Sequence, residues 1–314
     1  MGNTVSLLYV IAALCILVPA VLTPLLAAGP ARALARAAVA GRVRSAVVSL
    51  TASIGRVPTA VVLLLAASAA VVAVCWPLGE ALAALEPAVD QPVHHYVQLR
   101  RDAALERVST VYTALGDRAP LRTVSIVAAA VLAVLWRRRW WIPVAAMLGQ
   151  FGVEHYVQQI LELTVDRGHP PTGLGTYPSG GVARIVLTFG TLAVLVALTW
   201  RLRPPARIAM ATVVAVAAVV EAFTRVYVGK HWLTDVVGGL LFGPLLLAGV
   251  AGAVAVLAGA AGPGGSRGSA GGSAGSGGPG ESAGSGGPGE PSAGRRPPHR
   301  ADGGAPAVAT GPRP

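Results

Sequence analysis

A chain of 314 residues that is 54% hydrophobic and only 12% charged, with a mean hydropathy of +0.62, has too little polar surface for a soluble globular domain and belongs in a membrane. Its formal charge of +11 would suit nucleic acid. The arginines, however, gather in short runs between apolar segments with no aromatic-studded basic face, so they read as orientation signals and no nucleic-acid partner is expected.

In chain order, residues 4–28 are uncharged and long enough to cross a bilayer, for which roughly 20 helical residues suffice. No basic residue precedes them, which predicts an uncleaved transmembrane helix (residues 1–29) rather than a signal peptide. Arg32, Arg36, Arg42, Arg44 and Arg56 then mark a basic loop over 30–56. A second span covers about 57–76, and Cys75 inside it, like Cys15 before it, reads as a packing residue. Residues 79–119 mix charge with apolar side chains, and no window there can span. The mixture predicts amphipathic helix at the interface or capping the bundle, with His94 and His95 on its surface.

A third span, about 121–136, is closed by Arg137, Arg138 and Arg139, and Trp140 and Trp141 anchor the start of a fourth over 140–163. The fourth carries Glu154, Gln158 and Glu162 at every fourth position, so one of its faces looks into the bundle rather than at lipid. A Pro- and Gly-rich polar loop over 164–181 leads to a fifth span at 182–200, followed by Arg201, Arg203 and Arg207. The sixth and seventh spans cover about 208–228 and 232–258. From 261 to 314 the chain is Gly, Ser, Pro and Ala with scattered charge, which predicts a disordered tail. The expected fold is therefore an all-α integral membrane protein of about seven spans, and nothing in the sequence fixes an oligomeric state.

Counting spans puts the arginine-rich connections at 32–56, 137–139 and 201–207 on one side of the membrane, cytoplasmic by the positive-inside rule. The loop at 164–181 and the turn at 228–231 then meet on the outer side, and the tail is cytoplasmic. That outer side gathers the chemistry. In TRVYVGKHWLTD, Thr224 to Asp235, His231 and Asp235 are four apart and would share a helix face, so the carboxylate can fix the imidazole tautomer. Arg225 offers a planar fork of donors for a phosphate, and Glu221, four residues earlier, would pair with it and keep it posed. Arg167 can pair with an anion. Ser179 and Gly180, with Gly181, precede the fifth helix, where free N–H groups and the helix dipole favour anions. No Cys/His ligand set accompanies these residues, so neither a metal nor a cofactor is expected.

These segments resemble the signatures of the type 2 phosphatidic acid phosphatase superfamily, which shares its core with the vanadium haloperoxidases. The third signature, SRxxxxxHxxxD, is met by Arg225, His231 and Asp235, with Thr224 for serine. The second, PSGH, reads PSGG at Pro178 to Gly181, and the first, KxxxxxxRP, reads ELTVDRGHP from Glu162 to Pro170. The resemblance implies a six-helix core over 57–260, with the first transmembrane helix as an addition. It also implies a lipid phosphate substrate, attack by His231 on phosphorus to form a phosphohistidine, orientation of that ring by Asp235, and arginines on the equatorial oxygens.

Three positions depart from the pattern: Gly181 replaces the family's general-acid histidine, Glu162 its lysine and His169 its motif arginine. The departures leave three readings. A lipid diphosphate such as a polyprenyl carrier has a leaving group that needs little acid help; His169 stands in as proton donor; or the chain has lost its chemistry and serves as a lipid-binding or scaffolding membrane protein, which a carboxylate at 162 would favour.

Overall fold

The structure is a computed structural model describing residues 30–259, with side chains from residue 41 onward. The expected span over 4–28 and the tail from 261 lie outside the described residues, as does Cys15. Within them the secondary structure is helical, with no strand.

The first described element is not the expected basic loop but a helix, α1 (Pro30–Ile54). Hydropathy alone marks an arginine-bearing stretch as a connection. Alanine and arginine are among the strongest helix formers, and proline is tolerated in a first turn, so the propensity of PARALARAAVAGRVRSAVV outweighs its polarity.

Helix α2 (Arg56–Ala83) follows and passes through Pro77. A short π-helical turn at Glu86–Asp90, α3 (Gln91–Leu99) and α4 (Ala103–Leu115) form the expected amphipathic stretch. Asp102 caps α4, its Oδ1 accepting from the N–H groups of Ala104 at 3.0 Å and Leu105 at 2.9 Å. Then come α5 (Arg118–Trp136), α6 (Trp141–Thr164), α7 (Gly180–Thr199), α8 (Pro204–Tyr227) and α9 (Leu233–Ala258).

Of the described helices, α2, α5, α7, α8 and α9 are long and apolar enough to cross a membrane. The 24-residue α6 has the length too, and its polar residues lower its hydropathy while facing inward. The chain is a multi-pass membrane protein. Apolar residues such as Leu65, Val134, Ile208 and Val213 point outward, while Met147, Leu161, Leu187, Phe242 and Leu246 fill the interior. Close helix approach replaces the hydrophobic effect as the packing force in lipid. On α9, Gly239 shows how close: a Cβ there would sit 2.6 Å from the carbonyl oxygen of Ser179.

The alternating helices sort their connections into two ends. At one, Arg139 Nη1 donates to the Ala258 carbonyl at 2.8 Å and Trp136 Nε1 to Thr199 Oγ1 at 2.8 Å, joining the ends of α5, α7 and α9 among the arginines. At the other lie the turn and helices from residue 84 to 117, the loop over 165–179 and the turn over 228–232. The long loop is pinned by Tyr177, which is wholly buried and donates its hydroxyl to the Cys75 carbonyl at 2.9 Å.

Candidate active site

Asp235 is the third residue of α9, where a carboxylate favours the free N–H groups of a first turn. Its Oδ2 accepts from the Trp232 N–H at 3.0 Å and lies 3.4 Å from His231 Nδ1. The pair the spacing predicts is therefore present, though not for the expected reason. His231 precedes the helix, which begins at Leu233, and Asp235 reaches it by folding back over the N-terminal turn. Nδ1 faces the carboxylate, and Nε2 is the ring nitrogen turned away from it. Burial lowers the imidazole pKa; Asp235 opposes that, and Arg225 and Arg184 add to it. Lowering the pKa favours the neutral form of the ring.

The other oxygen of Asp235, Oδ1, pairs with Arg167 Nε at 3.1 Å. Arg167 Nη2 binds the Asp90 carboxylate and donates to Thr234 Oγ1 at 2.6 Å. Asp90 in turn accepts from Thr234 N at 2.9 Å and from Thr234 Oγ1 at 2.6 Å. The side chains of Asp90, Arg167 and Asp235 are all 0% exposed. Arg167 thus ties the π-helical turn, the long loop and the start of α9 together. Its Nη1 is buried and without a hydrogen-bond partner.

Arg225 stands in the last turn of α8, and its carbonyl accepts the His231 N–H at 3.4 Å. Its Nε donates to Glu221 Oε1 at 2.6 Å, the ion pair the sequence predicts, and its Nη2 to Asp117 Oδ1 at 2.9 Å and the Thr113 carbonyl at 3.3 Å. Lys230 Nζ donates to Asp117 Oδ2 at 3.3 Å. Burial works against the Asp117 carboxylate, but Arg225 and Lys230 outweigh it and hold its pKa below the usual range.

A third guanidinium completes the cluster. Arg184 donates through Nε to the Gly116 carbonyl at 3.1 Å, and through Nη1 to Glu154 Oε1 at 3.0 Å and Gln158 Oε1 at 3.4 Å. Gln158 Nε2 donates to Glu162 Oε1 at 2.7 Å. The polar row on α6 therefore does look inward, and its business is to hold Arg184. Sequence reasoning missed Arg184, although a lone charge inside an apolar span was a usable signal. It also missed Asp90 and Asp117, for which no local pattern exists.

The loop completes the surround. Ser179 is wholly buried, its N–H donates to the Asp235 carbonyl at 3.0 Å and its Oγ has no hydrogen-bond partner. Gly180 and Gly181 follow as the first residues of α7. Gly175 lies against the imidazole, where a Cβ would come within 2.6 Å of His231 Cε1 and Nδ1. The Gly175 carbonyl is bonded to His169 Nδ1 at 2.8 Å, so the exposed His169 stands behind that contact.

Gly181 is the most informative departure from the motif. A Cβ on it would fall inside the Arg225 guanidinium, so the space the motif histidine would claim is already filled by the arginine. Restoring the motif with Gly181→His is accordingly expected to lower any turnover by tenfold or more, because Arg225 must leave its bonds to Glu221 and Asp117. The measurement is phosphate release beside wild type, and a gain in rate would show that the slot accepts an acid.

Residues 150–256 match the PAP2 superfamily model. No protein of curated function matches the chain significantly. Among solved structures the chain is similar to one described as the first transmembrane PAP2-type phosphatidylglycerolphosphate phosphatase from Bacillus subtilis, at 22% identity and a TM-score of 0.49, with 63% of this chain and 96% of that chain covered. The matched interval runs from within α6 almost to the end of α9 and contains Glu162, the PSGG segment, Arg225, His231 and Asp235, and over this interval the chain is similar to the PAP2 superfamily.

Proposed function

We propose that the protein hydrolyses a lipid phosphate, preferentially a lipid diphosphate such as a polyprenyl diphosphate, on the outer face of the membrane through a phosphohistidine. The observation that carries this reading is the buried His231 ring with Nδ1 3.4 Å from the Asp235 carboxylate, in the field of the Arg225 and Arg184 cations. Nε2 attacks the terminal phosphorus, the bridging P–O bond breaks, and the lipid monophosphate leaves with that electron pair. Water then attacks the phosphohistidine, releasing inorganic phosphate and restoring the ring. Arg225, Arg184 and the N–H groups at the head of α7 are suited to the equatorial oxygens.

The preference for a diphosphate follows from the leaving group. A general acid contributes about a hundredfold to ten-thousandfold when an alkoxide must depart, and position 181 supplies none. A departing phosphate needs no such help. His169, in the same loop and bonded through Nδ1 to the carbonyl of Gly175, the residue against the imidazole, is the proton donor this reading assigns to the slower monoester reaction.

The test is phosphate release from a panel of lipid mono- and diphosphates in detergent, on wild type and His169→Gln. Diphosphates are expected to turn over about a hundredfold faster, and His169→Gln to slow only the monoesters. Equal rates for the two classes overturn the preference. A second reading, binding without turnover, is favoured by one observation: Arg167, Arg184, Arg225 and Lys230 each already bond a carboxylate. Absence of release from every member of the panel supports it.

A further inference from the structure

Asp117 stands in the turn between α4 and α5, with each oxygen on a different cation: Oδ1 accepts from Arg225 Nη2 at 2.9 Å and Oδ2 from Lys230 Nζ at 3.3 Å. Both cations flank His231. Lys230 is its chain neighbour, and Arg225 accepts the Lys230 N–H on its own carbonyl at 2.9 Å while its guanidinium fills the space over Gly181. Two oxygens of one anion spread over these two donors is the arrangement a phosphoryl group would adopt there.

The second carboxylate on Arg225 behaves differently. Glu221 is 0% exposed and sits on the same helix, fixed at Nε, whereas the Asp117 side chain is 45% exposed. Although Asp117 is the N-cap residue of α5, its side chain makes no capping hydrogen bond. It is held by the two cations and has water to turn into.

We propose that Asp117 is an internal occupant of the phosphate site, a carboxylate that a substrate must displace from Arg225 and Lys230 before its phosphorus can reach His231. The inference rests on the reading of the site given above. Its consequence is selectivity by charge. A terminal phosphoryl group brings close to two negative charges and three oxygens against the one charge and two oxygens of Asp117, so exchange favours it. A phosphodiester, with one charge, gains nothing by the exchange, and the abundant diester headgroups of the surrounding membrane are kept off the nucleophile. The cations hold Asp117 ionised through the neutral range, so this occupant is present whenever substrate is absent. Glu221 keeps Arg225 posed while the exchange takes place.

The test is calorimetric titration of inorganic phosphate into the detergent-solubilised full chain, comparing wild type with Asp117→Asn, Asp117→Glu and Glu106→Gln. Glu106 is a carboxylate at the same end of the bundle, paired with Arg101 at 2.9 Å. Asp117→Asn is expected to bind phosphate about tenfold more tightly than wild type, since the competing charge is gone while the cations stay. Asp117→Glu should bind no more tightly than wild type, and Glu106→Gln should match it.

Equal or weaker binding by Asp117→Asn overturns the inference and makes Asp117 a residue that poses the cations. An equal gain from Glu106→Gln also overturns it, by showing a general field effect. Should Asp117→Asn not fold, Asp117→Ser carries the same expectation. If wild type and all variants ignore phosphate, the reading of the site itself fails, a result distinct from the loss of the competitor alone.

Discussion

Replacing His231 with alanine is expected to abolish phosphate release, by roughly a thousandfold or more, while leaving the fold and phosphate binding close to wild type. The imidazole is the nucleophile in the proposed reaction, and His169 does not share its position, since it stands behind Gly175. The surroundings survive its loss. Asp235 keeps the Trp232 N–H and the Arg167 pair, and Arg225 and Arg184 are held by their own carboxylates rather than by the ring. Release from a lipid diphosphate, measured beside calorimetric binding of phosphate, separates the two effects. A variant within tenfold of wild type would remove His231 from the chemistry. In the wild type, the acid limb of kcat/KM is expected to lie below the ordinary histidine value of 6.5, because burial lowers the imidazole pKa.

Arg167→Met carries the largest expected effect on stability. It would leave Asp90 and Asp235, both 0% exposed, without the cation between them. Removing one member of a buried ion pair costs about 3–5 kcal/mol, which in a domain of this size lowers the melting temperature by roughly 10 °C. Thermal unfolding in detergent measures it, and Asp90→Asn combined with Arg167→Met should recover part of the loss by withdrawing one stranded charge. A normal melting temperature with a raised KM would instead make Arg167 a phosphate ligand first, acting through its free Nη1.

The helical architecture was legible because membrane insertion is a local matter. Each span must satisfy its own backbone and present its own apolar surface, so runs of hydropathy fix helices one at a time. The spans expected at 121–136 and 232–258 are observed as Arg118–Trp136 and Leu233–Ala258. Where the same reasoning misread Pro30–Ile54, the local signal that decided was propensity rather than hydropathy. The sequence also gathered the loop at 164–181 and the turn at 228–231 at one end, through span counting alone.

Apart from Glu221 and Arg225, four residues apart on one helix, the ion pairs were not legible, because each cation chooses its carboxylate through space. Arg167 meets Asp90 across 77 residues, and Arg225 meets Asp117 across 108. No spacing rule reaches that far. Sequence alone determined that His231, Asp235, Arg167 and Arg225 lie at one end of a membrane bundle. Only the packed helices decided that Arg167 braces Asp235, that Arg184 joins the site, and that Arg225 fills the space over Gly181. The reason is that buried charge must be neutralised by whatever the fold brings within reach.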